Sequence, residues 1–228
     1  MKSEIVRTSG VVLLVGGGEC NPELLSASLP DASAIVAADG GASVLLDLGV
    51  MPDAVIGDMD SLPEADQRRL APGVLHRISE QDSTDFDKCL RNISAPLVLA
   101  HGFLGARLDH QLAALTVLCR HADRRCVLVG QEDVAVLVPP DLPLMLAPGC
   151  RVSLFPMGAV QGRSEGLRWP IDGLKMTPDG RVGTSNEASE SAVRVTVDAP
   201  KMLLILPVAC LDALLDGLRA APKGWPAP

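Results

Sequence analysis

The stretch VIGDMDS (residues 55–61) runs from apolar residues straight into two aspartates, Asp58 and Asp60. An apolar run that ends abruptly in polar side chains is typical of a buried strand that stops at the edge of a parallel sheet. Two carboxylates ~5 Å apart repel each other by about 3 kcal/mol at an effective dielectric constant of about 20. Open water, a basic partner or a bound cation must therefore offset this repulsion.

The same pattern recurs along the first part of the chain and predicts the fold there. Short apolar runs alternate with segments of helical periodicity such as LDHQLAALTVLCR (residues 108–120). This alternation indicates a parallel sheet covered by helices on both faces. The runs are VVLLVG, SAIVAAD, DAVIGD, GVLHRIS, PLVLAHG and RCVLVG. In such sheets ligands bind in the crevice beyond the carboxyl ends of the strands.

The pattern of apolar runs in the sequence changes at about Leu142. The strand-like pieces that follow are short and broken by Gly, Pro and Asp, which is typical of a small antiparallel sandwich or barrel. The segment PPDLP (residues 139–143) is the predicted boundary. We therefore expect an α/β domain over residues 1–140, a β domain over residues 141–228, and an amphipathic helix over roughly residues 211–220.

Composition narrows the classes of function. The chain has 228 residues, of which 47% are hydrophobic and 21% charged, as in ordinary globular proteins. Its net charge of −8 offers no basic surface for nucleic acid or an anionic membrane, but suits a divalent metal or a cationic small molecule. The six cysteines form no CxxC pair and no secretory signal is recognisable, so we expect reduced thiols in a cytoplasm.

Two glycine-rich turns follow the first two predicted strands. VGGGE (residues 15–19) and ADGGAS (residues 38–43) allow close approach of backbone, and Asp39 lies at the end of its strand. Neither turn matches a dinucleotide-binding fingerprint or a lysine-bearing phosphate loop, so each alone is also consistent with a simple strand-to-helix turn. Two such turns at one sheet edge favour a crevice that faces phosphates.

Acidic residues gather after the third, the fourth and the fifth of these runs. In extended backbone Asp58 and Asp60 would point to the same side and face one ion, although a solvated turn is the alternative. QDSTDFDK (residues 81–88) adds three aspartates. Within it, Thr84 with Asp87 fits a capping box.

GFLGARLDH (residues 102–110) ends in Arg107, Asp109 and His110, and we interpret the histidine as a helix-start residue. Oxygen ligands without a His/Cys cluster predict Mg²⁺ with a nucleotide.

In this order the motifs resemble the thiamine pyrophosphokinase family. The resemblance extends from ADGGAS through DAVIGDMDS, QDSTDFDKCL and GFLGARLDH to GLRWPI and GTSN in the second part. It implies an α/β nucleotide-binding domain with a parallel sheet followed by an antiparallel β-sandwich, in a homodimer. It also implies transfer of a pyrophosphoryl group from ATP to the hydroxyl of thiamine, with Mg²⁺ as cofactor, release of AMP, and thiamine and ATP as partners.

The resemblance assigns roles to matching positions. The acids that would handle Mg²⁺ and phosphate are Asp58, Asp60, Asp85 and Asp109, with Arg107 as a further catalytic residue. The residues that would surround ATP are Asp39, Gln81, Asp82, Ser83, Thr84, Lys88 and Arg107. The residues that would form the thiamine pocket are Trp169, Ser185 and Asn186, at the dimer interface.

Three alternatives stay open at this point. The ring of Trp169 either stacks on the cationic thiazolium or fills the core of the second domain. The acceptor could be another small alcohol, such as a pterin, although GLRW and GTSN argue against it. The chain could also be a non-catalytic nucleotide or thiamine sensor, although a sensor does not need the full set of acids and basic residues.

Overall fold

The structure is a computed structural model that describes residues 4–105, 107–221 and 224–227. Contacts within the chain divide it into two compact units. The first unit ends at Val117 and also contains Cys126–Gln131; the second contains Leu118–Arg125 and the chain from Glu132 onward. Parallel and antiparallel sheets occur together with helices, so the predicted mixed α/β class is confirmed.

The first unit contains the elements expected from the alternating sequence. Its strands are β1 Val6–Arg7, β2 Val11–Val15, β3 Ala32–Ala38, β4 Ala54–Gly57, β5 Leu75–Arg77, β6 Ile93–Ser94, β7 Leu97–His101 and β8 Cys126–Val129. Its helices are α1 Pro22–Ser28, α2 Gly41–Asp47, α3 Glu64–Gln67, α4 Asp85–Asn92 and α5 Leu108–Arg120, of which the last turn is grouped with the second unit.

A parallel sheet forms the centre of the first unit. Among the described residues its strand order is β8-β7-β2-β3-β4-β5, and every neighbouring pair is parallel. The β2 side chains Val12, Leu13 and Leu14 are fully buried, as expected for a strand covered on both faces. Strand β2 lies between β3 and β7. The connection that follows β2 therefore leads to β3 on one side of it, whereas β7, which comes later in the chain, lies on its other side. This is the switch point where such sheets bind ligands.

Two helices near this edge begin at a side chain that caps the first turn. Asn21 accepts hydrogen bonds from the amides of Glu23 and Leu24 at the start of α1. Thr84 accepts one from the amide of Asp87 at 3.3 Å, which confirms the predicted cap of α4. The cap fixes the start of α4 and therefore places Asp85 in the first turn of this helix.

The second unit is built from antiparallel strands and one C-terminal helix in its described part. The strands are β9 Asp133–Leu137, β10 Asp141–Met145, β11 Arg151–Pro156, β12 Val160–Glu165, β13 Lys175–Met176, β14 Gly183–Glu187, β15 Ala192–Val197 and β16 Met202–Pro207. A 3₁₀ turn, Val208–Cys210, leads into α6 Leu211–Ala220, the helix predicted at that position.

Within the described part of this unit the strands form two antiparallel arrays. One has the order β14-β11-β16-β9 and the other β10-β15-β12-β13. In β15 the side chains Val193, Val195 and Val197 are buried and alternate with more exposed neighbours, the pattern of a sheet with one face covered. Part of the predicted boundary segment belongs to β10, and the division by contacts falls at Glu132. The functional boundary at residue 140 stays a prediction.

The described helices are short relative to a bilayer. None of those in residues 4–105, 107–221 and 224–227 is both long and apolar enough to cross a membrane.

Candidate active site

A cavity of ≈ 690 Å³ lies at the carboxyl ends of the parallel strands in the first unit. Its walls come from the loops that follow β2, β3, β4 and β7, and from α2, α4 and α5. The residues that line it are Gly16, Gly17, Gly18, Ala38, Asp39, Gly40, Ser43, Val44, Asp47, Ser61, Pro63, Thr84, Asp85, Phe86, Gly102, Phe103, Gly105, Arg107, His110, Ala113 and Ala114. Both glycine-rich turns therefore face the crevice predicted from the sequence.

The loops after β2 and β7 are held against each other by their backbones. The amide of Gly16 donates to the carbonyl of His101 at 2.8 Å, and that of Gly18 donates to the carbonyl of Gly102 at 3.2 Å. A β-carbon at Gly18 would lie 2.6 Å from the Gly102 oxygen, so only glycine fits there. Both loops therefore pass close to each other where they line the cavity.

Three carboxylates meet at one side of the cavity. One oxygen each of Asp39, Asp58 and Asp60 lies within 4.8 Å of the others. Asp39 is 2% exposed, and neither of its carboxylate oxygens has a hydrogen-bond partner. Burial, together with the charge of Asp85, raises the pKa of Asp39 to about 6. A buried carboxylate without a partner beside two others has the chemistry of a divalent cation site with oxygen ligands.

The route by which Asp58 and Asp60 converge differs from the sequence-based argument. That argument assumed extended backbone, but Met59 between them has φ 65, in the left-handed region. The amide of Asp60 donates to Oδ1 of Asp58 at 3.3 Å, so the segment is a tight turn. The prediction that both carboxylates can face one ion agrees with the geometry, while the extended conformation was wrong.

Lys88 lies among these acids and not in the open cavity. It is 1% exposed, and its Nζ donates to Oδ2 of Asp58 at 3.1 Å and to Oδ1 of Asp85 at 2.9 Å. Although burial opposes its charge, the two carboxylates raise the pKa of Lys88. The hydrogen bond from Lys88 in turn lowers the pKa of Asp58 well below its usual range. The assignment of Lys88 to the ATP phosphates stays a prediction beside this pairing.

Asp85 and Asp109, the other two predicted metal ligands, lie outside the cluster of three. Asp85 pairs with Lys88 and lines the cavity. Asp109 forms a two-pronged ion pair with Arg107, from Nε to Oδ1 at 3.2 Å and from Nη2 to Oδ2 at 2.6 Å. Arg107 lowers the pKa of Asp109, and both side chains are exposed. The cluster of three therefore contains Asp39, which the family resemblance assigns to cofactor binding, and does not contain Asp85 or Asp109.

The remaining predicted phosphate-side residues lie around α4. Gln81 donates from Nε2 to Oδ2 of Asp58 at 3.0 Å. The hydroxyl of Ser83 donates to Glu80, and Thr84 lines the cavity while it caps the helix. Asp82 is exposed. Gln81 is therefore a direct neighbour of the acid cluster, whereas Ser83 is engaged with a surface carboxylate.

Two aromatic side chains in the cavity wall were missed by the sequence reasoning. Phe86 and Phe103 stack with ring centroids 4.5 Å apart at an interplanar angle of 40°, and both line the cavity. The chain has only three phenylalanines, and these two occur inside the motifs DSTDFDK and GFLGARLDH. That coincidence was the available signal. The pair gives this wall an apolar surface beside the acids.

The residues predicted for thiamine lie in the second unit. Trp169 is 53% exposed, so the alternative that it fills the core is excluded. The guanidinium of Arg168 lies 4.8 Å from the centre of its ring. Asn186 is buried, and its amide is bonded to the backbone of Trp169. Ser185 is exposed with φ 59, and its amide donates to the hydroxyl of Ser153 at 3.0 Å.

Comparison with known proteins identifies the family. Residues 25–129 match the family model "Thiamin pyrophosphokinase, catalytic domain", and residues 142–202 match "Thiamin pyrophosphokinase, vitamin B1 binding domain". Thiamine pyrophosphokinase 1 of Oryza sativa subsp. japonica is 30% identical over 198 residues, which cover 72% of this chain and 75% of the relative. Thiamine pyrophosphokinase 1 of Arabidopsis thaliana is 31% identical, over 65% of this chain and 62% of its own length.

A solved structure supports the fold. The crystal structure of thiamine pyrophosphokinase from Bacillus subtilis superposes with a TM-score of 0.72 at 22% sequence identity, covering 86% of this chain and 98% of the other. At that identity the match is evidence of a shared fold, while the two family models and the rice relative establish the family. The chain belongs to the thiamin pyrophosphokinase family of enzymes, whose reaction transfers a pyrophosphoryl group from ATP to thiamine.

Proposed function

We propose that this chain synthesises thiamine diphosphate, with magnesium–ATP bound in the cavity of the first unit. The observation that carries the proposal is the buried Asp39 carboxylate, which has no partner and lies within 4.8 Å of Asp58 and Asp60 at a cavity lined by glycines. We assign the nucleotide to residues 1–140. Residues 141–228 would form the antiparallel β-sandwich that presents thiamine.

The donor set fits Mg²⁺. Asp39, Asp58 and Asp60 offer oxygens close enough to share an ion, and magnesium prefers carboxylates, waters and substrate phosphates. When bound, the ion would neutralise charge on the transferred phosphates and on the acids themselves. Asp85 and Asp109 are proposed as further ligands or phosphate-handling acids once a nucleotide is in place. For Asp109 this role requires that its ion pair with Arg107 first be broken.

Arg107 is the proposed phosphate-binding cation of the cavity. Its guanidinium lines the cavity and is exposed, so it can reach a polyanion without a large change in burial. A planar guanidinium binds phosphate oxygens through two parallel hydrogen bonds. We propose that the triphosphate displaces Asp109 as the partner of Arg107. Backbone amides of the glycine-rich turns and the side chains of Gln81, Asp82, Ser83 and Thr84 would surround the same phosphates.

The transfer step needs an alcohol in line with the β-phosphorus of ATP. A bond forms between the hydroxyethyl oxygen of thiamine and the β-phosphorus, and the bond from the β-phosphorus to the α,β-bridging oxygen breaks, which releases AMP. The hydroxyl proton passes to an acceptor, for which a carboxylate of the cluster is the natural candidate. Most of the acceleration would come from positioning and from electrostatic stabilisation by fixed charges.

Thiamine binding is assigned to the segments that hold Trp169, Ser185 and Asn186. The exposed ring of Trp169 already has a guanidinium over one face at 4.8 Å, which leaves the opposite face for the cationic thiazolium. Asn186 would act by holding the backbone of Trp169, while the hydroxyl of Ser185 is free to contact the ligand. We further propose that the protein is a homodimer in the cytoplasm and that the thiamine pocket lies at the dimer interface.

The decisive experiment is incubation with Mg²⁺, ATP and thiamine followed by analysis of the products. Equimolar AMP and thiamine diphosphate would support the proposal, while ADP with thiamine monophosphate would mean transfer of a single phosphate. Competition between thiamine and a pterin alcohol tests the choice of acceptor. Tight binding of both substrates without AMP release would instead indicate a sensor.

A further inference from the structure

A buried lysine is an unusual neighbour for carboxylates that are to bind a cation. Lys88 is 1% exposed and ranks among the largest fully buried side chains of the described residues. Its ammonium donates to one oxygen of Asp58 and one of Asp85, at 3.1 and 2.9 Å. Asp58 is also a member of the cluster with Asp39 and Asp60. One fixed positive charge and one prospective metal ion therefore share the carboxylate of Asp58.

Stability alone gives a weak reason for this arrangement. Removing an ammonium from water is costly, and a buried ion pair usually repays little more than that cost. The pair does have a clear local effect, because it keeps Asp58 ionised and fixes the direction of one of its oxygens. Without a cation at this point, the negative charges of Asp39, Asp58, Asp60 and Asp85 would repel one another.

The same charge must also affect the metal. An ammonium that contacts Asp58 repels a divalent ion bound to the other side of that carboxylate, and this repulsion is only partly screened because Lys88 is shielded from solvent. Lys88 and Mg²⁺ are thus two counter-ions for one set of acids. Each of the two cations therefore reduces the electrostatic stabilisation that the other obtains from these acids.

We propose that Lys88 is a positioning residue that serves as the built-in counter-ion of the acid cluster and limits its affinity for free Mg²⁺. In the metal-free protein it holds Asp58 and Asp85 in place. When metal binds, Lys88 keeps that binding weak enough for the ion to exchange, so that metal and nucleotide phosphates are held tightly only together. This inference rests on the proposed function through the assignment of Asp39, Asp58 and Asp60 to a metal.

The test compares Mg²⁺ binding by nucleotide-free proteins. Lys88→Met removes the charge with a side chain of similar length, and Lys88→Gln removes the charge but keeps a donor. Arg91→Met is the matched control: Arg91 is on the same helix and pairs with Glu80 at 2.7 Å, outside the cluster of three acids. Mg²⁺ affinity is measured by calorimetry, and the melting temperature is recorded with chelator and with millimolar Mg²⁺.

Loss of the charge should tighten Mg²⁺ binding by about tenfold or more, because a repulsive charge on the opposite side of the shared carboxylate is removed. Both Lys88 variants should melt lower than wild type in chelator and recover most of the loss in Mg²⁺, whereas Arg91→Met should bind Mg²⁺ as wild type does. An affinity that stays the same or weakens in both Lys88 variants would overturn the inference. So would variants that fail to fold even in Mg²⁺, because the metal is expected to replace the missing charge.

The outcomes also separate this inference from the proposed function. If wild type binds Mg²⁺ and makes thiamine diphosphate while the variants bind the ion no more tightly, only the role of Lys88 is lost. If none of the proteins binds Mg²⁺ at the acids, the metal assignment is lost as well.

Discussion

The buried side chain of Asn186 is hydrogen-bonded to both backbone groups of Trp169. Its Nδ2 donates to the Trp169 carbonyl at 2.7 Å, and its Oδ1 accepts from the Trp169 amide at 3.2 Å. The same oxygen accepts from the amide of Glu187 at 2.9 Å. The side-chain amide of Asn186 therefore links β14 to the segment that carries the exposed indole of Trp169.

Replacing Asn186 should weaken the binding of thiamine more than the binding of ATP. In Asn186→Ala the Trp169 amide and carbonyl lose their partners, which should cost about 1–3 kcal/mol of stability. Because the position of the ring is then less restricted, we expect KM for thiamine to rise about tenfold while KM for ATP changes by less than about twofold. Steady-state kinetics with each substrate varied in turn measures this. Asp198→Ala removes a similar side-chain hydrogen bond to the amide of Gln161 and should leave KM for thiamine unchanged.

The exposed indole itself offers a second test. Trp169 is 53% exposed, so Trp169→Leu should change the free energy of unfolding by no more than about 0.5 kcal/mol. A tryptophan that filled the core would instead cost about 3–5 kcal/mol. If the ring stacks on the thiazolium, KM for thiamine should rise by roughly tenfold. Denaturant unfolding and thiamine titration together check both numbers. Unchanged thiamine affinity would exclude the stacking role.

The strands of the first unit could be predicted from the sequence because their signal is local. The stretch AVIG inside DAVIGD is apolar throughout, and burial on both faces of a parallel sheet requires that composition. The start of α4 was predictable for a similar reason, since Thr84 binds a donor only three residues away. The final helix, α6, follows from its amphipathic spacing. Each of these features depends on neighbours in the chain.

The details of the site could not be predicted in the same way because they depend on tertiary contacts. The left-handed φ of Met59 turns Asp60 back towards Asp58, and a methionine gives no hint of that conformation. Asp39 joins the cluster because β3 and β4 are neighbours, which no spacing in sequence reveals. The family resemblance assigns Lys88 to the phosphates. In the metal-free and nucleotide-free geometry its helix directs it to Asp58 and Asp85, two partly buried acids, and ion pairing there outweighs exposure to solvent.

Asp58 is the acid whose loss should be most severe. Asp58→Asn removes a charge from the cluster, leaves Lys88 with one ionised partner, and weakens the hold on Mg²⁺. We expect turnover to fall by about a hundredfold or more while the circular dichroism spectrum stays unchanged. The rise in melting temperature on addition of Mg²⁺ should also disappear.

The matched control for this change is Asp31→Asn. Asp31 is exposed just before β3, at the end of that strand opposite to Asp39, so its loss removes the same charge away from the cavity. Activity and the response to Mg²⁺ should stay close to wild type. Retention of more than about a tenth of activity by Asp58→Asn would contradict the metal role.

The buried His101 predicts how stability depends on pH. His101 ends β7, is 1% exposed, and lies with Nε2 3.2 Å from the hydroxyl of Ser28. Burial lowers its pKa from 6.5 to about 4. The unfolded chain therefore takes up a proton below pH 6.5 that the folded protein resists. The stability that comes from the neutral ring is complete above pH 6.5 and is lost as the pH falls towards 4.

His101→Gln should remove this dependence, because glutamine can keep a hydrogen bond to Ser28 but does not titrate. Between pH 6.5 and 4 the wild type should lose stability relative to this variant by on the order of 3 kcal/mol. Urea unfolding at half-unit steps of pH gives the difference directly, and groups that titrate in both proteins cancel in it. Parallel curves for wild type and His101→Gln would show that the ring is already charged, or freely titrating, in the folded protein.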